Sequence, residues 1–215
     1  LMTIKNIDLP LKLRRSPKKT NIRKHLKKLG NSIEERSIDI EKREEFGHWE
    51  IDTVIGIKSK EEPVLVTLVE RKSRYNITLK AERKNNESIL GLLDKMYQIL
   101  SSDFKNVFKT ITSDNGLEFS QLTKVEKIGT RVYYAHPYSS YERGSNEKHN
   151  GMIRRFIPKG KKLTEVSNEK IKFVSDWCNT LPRKILKYKS PLEIFINELE
   201  IMGVEYESVQ FDIAI

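Results

Sequence analysis

The stretch W-E-I-D-T-V-I-G at residues 49–56, followed by P-V-L-V-T-L-V-E at 63–70, decides the fold. The first run alternates with β-branched residues and the second is short, apolar and rich in valine, so both read as strands. Arg74–Lys80 reads as a third strand across a polar turn at Arg71–Ser73, and the close spacing predicts an antiparallel meander. Downstream the period changes. Ile89, Leu92, Leu93, Met96 and Leu100 recur at helical spacing and predict a helix over about Asn86–Leu100. Phe108–Ser113 then reads as a buried strand, Glu118–Ile128 as a helix and Arg131–Ala135 as a fifth strand. After Pro137 the chain reads as helical, with breaks near Pro158–Gly160 and Pro182. Three hairpin strands followed by strand–helix–strand–helix predict a mixed α/β sheet with helices on both faces.

The ribonuclease H-like architecture has that order of elements: a mixed five-stranded sheet flanked by helices, here with a C-terminal helical extension. The expected division is a basic arm and linker over 1–45, the core with its C-terminal helices over 46–200, and a tail over 201–215. Within the arm, Lys12 to Lys28 carries nine Lys or Arg and no acidic residue, and it reads as a segment that orders on a polyanion or as a solvated tether. The acidic segment Glu34 to Glu45 that follows reads as partly helical.

Composition narrows the function classes. Forty Lys and Arg against thirty Asp and Glu give a formal charge of +10, which favours a polyanionic partner through release of counterions from phosphates. The single cysteine, Cys178, cannot form an intramolecular bridge, and four histidines without Cys/His spacing offer no zinc site. No apolar run approaches a membrane span or a signal peptide, so a cytoplasmic protein is expected.

Three carboxylates stand out by context. Alternation places His48, Glu50 and Asp52 on one strand face, and a carboxylate flanked by Ile51 and Val54 needs a partner or a cation unless the strand is a solvated edge. Asp114 closes the fourth strand in I-T-S-D-N-G, where open α/β sheets gather ligands, although D-N-G is also an ordinary turn. Glu147 falls early in a helix, sharing a face with Gly151 and Arg154 that is either turned to a substrate or simply solvated.

Together the motifs are more specific. H-W-E-x-D, then S-D-N-G-x-E-F, then H-P-Y-S-x-x-E-R-G-S-N-E-x-x-N-G resembles the DDE integrase core, most of all transposases of the insertion-sequence-thirty family. Ile157-Pro158-Lys159-Gly160 and the N-x-x-P-R-K-x-L-x-Y-x-S-P-x-E-x-F run from Asn179 to Phe195 extend the likeness, which covers about Ser32 to Leu199. Ile51, Ser140 and Leu181 depart from the family's usual Gly, Pro and Arg. The resemblance implies catalytic, metal-binding Asp52, Asp114 and Glu147, holding two Mg²⁺ ions with Mn²⁺ tolerated. It implies cleavage and strand transfer of double-stranded DNA, at element ends and target, by a homo-oligomer. Arg154 is the first candidate for a phosphate contact, with Lys148, Arg155, Lys159, Lys161, Lys162, Arg183 and Lys184 beside it. His48, Glu50 and Asn115 are candidates for orienting the acids. Family members carry an N-terminal helix-turn-helix region, and none precedes the basic arm here, so the chain reads as a catalytic region.

Other readings share some of these features. A ribonuclease H-like nuclease would use the same fold and metals without strand transfer. A non-catalytic DNA-binding regulator of transposition would bind and never nick. The clustered Tyr133, Tyr134, Tyr138 and Tyr141 raise a tyrosine recombinase, but no Arg/His/Arg set accompanies them, and a core or stacking role fits better.

Overall fold

The computed structural model describes residues 29–137 and 139–211, so the basic run Lys12–Lys28 and Tyr138 lie outside the described residues. The first three strands form the antiparallel meander read in the sequence. A short helix, α1 (Ile38–Lys42), leads into β1 (His48–Ile55), β2 (Val64–Glu70) and β3 (Asn76–Ala81). Both hairpin pairings are antiparallel. Helix α2 (Asn86–Leu100) and the single turn α3 (Phe104–Val107) carry the chain to β4 (Thr110–Ser113). That strand pairs parallel with β1, and β5 (Arg131–Tyr134) pairs parallel with β4. The order is β3-β2-β1-β4-β5, with α4 (Gly144–Ile153), α5 (Asn168–Thr180) and α6 (Pro191–Met202) following. This is a ribonuclease H-like α/β fold, as the pattern of elements predicts.

The pleat separates two chemistries. On one face Trp49, Ile51, Val66, Leu68, Leu79, Ile111 and Val132 join the buried stripe of α2 and Phe195 and Leu199 of α6 in the main core. Each of these larger side chains contributes about 1.5–3 kcal/mol by leaving water. Trp49 stacks on Phe108 at 4.6 Å between ring centroids and donates its indole N–H to the Val107 carbonyl. On the other face, Val54 and Leu65 pack under Met152 and Ile153 of α4 and Ile171, Val174 and Cys178 of α5. That second layer also buries Glu50, Thr67 and Thr112, so polar groups lie beneath α4.

One expectation changes. Residues 118–128 form 3₁₀ turns, Leu117–Phe119 and Leu122–Ile128, instead of an α-helix. Phe119, Leu122 and Val125 are the buried apolar positions, and their spacing of three matches the 3₁₀ period. The segments assigned to linker and tail are also packed at their inner ends. Ile40 is buried, Ser32 bridges to Tyr134, and Val204 and Val209 enter the main core, because each supplies apolar side chains where the sheet would otherwise be uncovered.

Candidate active site

The parallel register fixes the first two acids. Glu50 on β1 lies level with Thr112 on β4. Two residues further on lie Asp52, within β1 on the same face, and Asp114, just past the carboxyl end of β4. Arg143, just before α4, reaches between them. Its Nη1 lies 3.5 Å from Asp52 Oδ2, and its Nη2 lies 3.3 Å from Asp114 Oδ2. The same Nη1 donates to the Ile51 carbonyl at 3.1 Å, which aims the guanidinium along the strand end.

Each aspartate is held further by the backbone. Asp52 Oδ1 accepts the Thr53 amide at 2.8 Å, and Asp114 Oδ1 accepts the Gly116 amide at 2.9 Å. Burial pushes the Asp52 carboxyl above its ordinary range, and the Arg143 cation and Thr53 amide oppose this. The neighbouring Asp114 and Glu118 carboxylates push it up further. Glu118 is itself buried, bonded by Thr53 Oγ1 and paired with Lys84 at 2.9 Å. Gly116 makes room for this grouping: a Cβ there would fall 2.6 Å from Glu118 Oε2 and 2.8 Å from Asp114 Oδ1.

Helix α4 brings the third acid. Asn150 Nδ2 donates to Asp52 Oδ2 at 2.9 Å, and Thr67 Oγ1 donates to Asn150 Oδ1 at 3.2 Å. Glu147 is three residues earlier on the same helix face. It is exposed and lines a cavity of ≈ 790 Å³ with Asn150, Gly151, Arg154, Lys159 and the end of β1. Among the described residues, however, no three His, Cys, Asp or Glu side chains gather closely enough to hold a metal ion. The structure joins Asp52 and Asp114 through Arg143 and does not gather Glu147 with them into a set of three.

The remaining candidates divide. Glu50, fully buried, accepts from Arg71 Nη1 at 2.7 Å and from the Asn146 amide at 3.0 Å. It therefore fixes the start of α4, one residue from Glu147, and does not orient Asp52 as expected; an anion there also suits the helix dipole. His48, expected to orient Asp52, instead bonds Thr110 Oγ1 and Glu45, and burial lowers its pKa. Asn115 ties the end of β4 to the Ala135 carbonyl. Arg154, the first candidate for phosphate, spends its guanidinium on the Ile55 carbonyl at 2.6 Å and so bolts the end of α4 to β1. Lys159, Lys161 and Lys162 are exposed on the loop after it. Lys148, Arg155, Arg183 and Lys184 line a different cavity behind α4.

Arg143 and Asn150 are the residues that sequence reasoning missed. Both stand inside the quoted E-R-G-S-N-E-x-x-N-G run, and Asn150 shares the Glu147 helix face, a signal that was available.

No family model matches the chain. Curated relatives do. The chain is 45% identical over 199 residues to the "Probable transposase for insertion-like sequence element IS1161" of Streptococcus salivarius, covering 91% of this chain and 55% of that protein. It is 38% identical over 177 residues to the transposase for insertion sequence element IS4351 of Bacteroides fragilis, covering 82% and 52%. Against transposase InsI for insertion sequence element IS30A of Escherichia coli (strain K12) it is 37% identical over 166 residues, covering 77% and 42%. The chain spans about half the length of the curated relatives it matches. With that likeness running through both aspartate strands and α4, the chain belongs to the insertion-sequence-thirty family of transposases.

Proposed function

We propose that this chain is the catalytic core of a transposase that cleaves double-stranded DNA at element ends and joins the freed 3′ ends to a target. One observation carries the reading: Asp52 and Asp114, from adjacent parallel strands, share a single cationic group, and the helix bearing Glu147 is tied to that same Asp52 carboxylate. Paired carboxylates that already hold one cation, with only oxygen donors around them, fit Mg²⁺ or Mn²⁺. Asp52, Asp114 and Glu147 would hold such ions, which would supply Lewis-acid activation of the attacking oxygen and charge stabilisation of the leaving one.

The chain's own residues supply the rest. Arg143 holds the two aspartates against mutual repulsion, and Asn150 fixes the rotamer of Asp52 through the Oδ2 that also faces Arg143. Glu50 anchors the start of α4, and Arg154 anchors its end, so Glu147 is presented from a helix pinned at both ends. Glu147 makes no hydrogen bond among the described residues, and its rotamer is left to respond to substrate. The exposed Lys159, Lys161 and Lys162 give the adjacent loop the charge to meet a DNA backbone. A homo-oligomer on paired DNA ends, in the cytoplasm, completes the proposal; no helix of the described residues is long and apolar enough to cross a membrane.

The test is strand transfer. Purified protein is incubated with Mg²⁺ or Mn²⁺, a pre-cleaved element end and plasmid target, beside an Asp114→Asn control. Metal-dependent joining that disappears in the control supports the proposal. Nicking without joining would favour a nuclease, and DNA binding with neither activity would favour a regulator.

A further inference from the structure

The second cavity, ≈ 770 Å³, lies on the other side of α4 from the Glu147 cavity. Its lining carries six cationic side chains, Arg43, Arg74, Lys148, Arg155, Arg183 and Lys184, and no carboxylate. None of the six forms a salt bridge among the described residues, whereas the nearby Arg36 and Arg71 both pair with Glu41. The walls come from four separate parts of the chain. Arg43 closes α1, Arg74 follows β2, Lys148 and Arg155 stand on and just beyond α4, and Arg183 and Lys184 begin the α5–α6 connection.

This crowding is not a loose surface patch. Arg74 and Arg183 are each 8% exposed. Arg74 donates to Ser145 Oγ at 2.7 Å, and burial together with neighbouring Arg43 pulls its pKa down to about 10. Arg183 donates to the Cys178 carbonyl and to His149 Nε2, yet its buried Nε has no partner. Burying cations beside one another, with a donor unspent, costs stability unless an anion arrives to neutralise them. Four of the six are guanidinium groups, whose planar fork of donors matches phosphate. Trp177 forms part of the wall and offers an aromatic surface to a base or sugar.

We propose that this cavity binds a backbone phosphodiester of DNA, as a second docking point separated from the three acids by the thickness of α4. The inference rests on the DNA-transposing reading given above and extends it. A strand anchored on both sides of α4 fixes the helix that carries Glu147 relative to the bond being attacked.

The test reads DNA binding in EDTA, so it is independent of the acids' catalytic role. Fluorescence anisotropy with a labelled duplex is measured over a KCl series for the wild-type chain and two triple variants. The first is Lys148→Gln/Arg155→Gln/Lys184→Gln, all exposed positions of the cavity; the second is the distant exposed set Lys95→Gln/Lys105→Gln/Lys127→Gln. Each phosphate contact contributes about 0.9 to the log–log salt slope, so the cavity triple should lose about 2–3 and the distant triple less than about 1. Equal losses in the two triples, or an unchanged slope in the first, would overturn the inference. So would loss of poly-glutamate binding with DNA binding intact, which would assign the cavity to an acidic protein. If binding behaves as expected but metal-dependent joining is absent, the cavity stands and the reading of the acids falls.

Discussion

Asn150 and Asp52, ninety-eight residues apart, are joined by a hydrogen bond of 2.9 Å between side chains. The bond links the helix that bears Glu147 to the strand that bears Asp52, and the Asn150 carbonyl oxygen is in turn held by Thr67 on β2. A neutral amide is suited to this place: it restrains Asp52 without adding charge to a region where carboxylates already crowd. Asn150→Ala should cost about 1.5–3 kcal/mol in denaturant unfolding, the range for hydrogen bonds to charged groups, and should reduce strand joining at least tenfold. Unfolding midpoints and joining rates measured together check this, since a purely structural role would leave joining intact in the folded fraction.

Arg143 should reveal itself as the counter-ion of the two aspartates. Arg143→Gln leaves Asp52 and Asp114 facing each other, and both are partly exposed, so the cost is below that of a fully buried pair, about 1–3 kcal/mol in metal-free buffer. Added Mn²⁺ should raise the melting temperature of the variant more than that of the wild type. An equal rise in the two proteins would mean that the guanidinium and the metal do not serve the same carboxylates.

Gly116→Ala tests the close approach of Asp114 and Glu118. The new methyl would meet both carboxylates, so one must move, and overpacking of this kind costs about 1–3 kcal/mol. Joining should fall more than stability does, because one of the two carboxylates displaced, Asp114, is a proposed metal ligand. Gly151→Ala is the matched control: nothing lies within 4 Å of its Cβ position, and neither quantity should fall by a comparable amount.

His149 predicts acid sensitivity. Its Nδ1 bonds the Ser145 carbonyl and therefore carries the proton, leaving Nε2 to accept from Arg183. Burial lowers its pKa to about 4. The folded state resists a proton that the unfolded chain accepts near 6.5, so stability is complete above about pH 6.5 and declines as pH falls toward 4. The full loss is about 3 kcal/mol. Denaturant unfolding at pH 7.0 and 5.0 should show a smaller difference in His149→Gln than in the wild type. Identical differences would remove His149 as the cause.

The sequence disclosed the frame more completely than the site. The bounds of α2 follow from five apolar residues at helical spacing, and β1 and β2 from alternation and valine content, because these are local patterns. The 3₁₀ segment at 122–128 was read as α-helix since a period of three is easily taken for 3.6 over so short a run. Asp52, Asp114 and Glu147 were singled out through their motifs, and the structure sets the two aspartates on either side of Arg143. Arg143 was not singled out, because its meaning lies in contacts with strands 29 and 91 residues away, and nothing local marks a guanidinium as a counter-ion. Arg154 keeps the helix face read from the sequence, and its bond to the Ile55 carbonyl was not legible because that partner lies 99 residues away.

The central claim, that Asp52, Asp114 and Glu147 together hold the catalytic metal, is tested most directly by Mn²⁺ titration followed by electron paramagnetic resonance on the DNA-free protein. The account predicts binding by the wild type and at least a tenfold loss of affinity in each of Asp52→Asn, Asp114→Asn and Glu147→Gln. Equal Mn²⁺ affinity in the wild type and all three variants would contradict it.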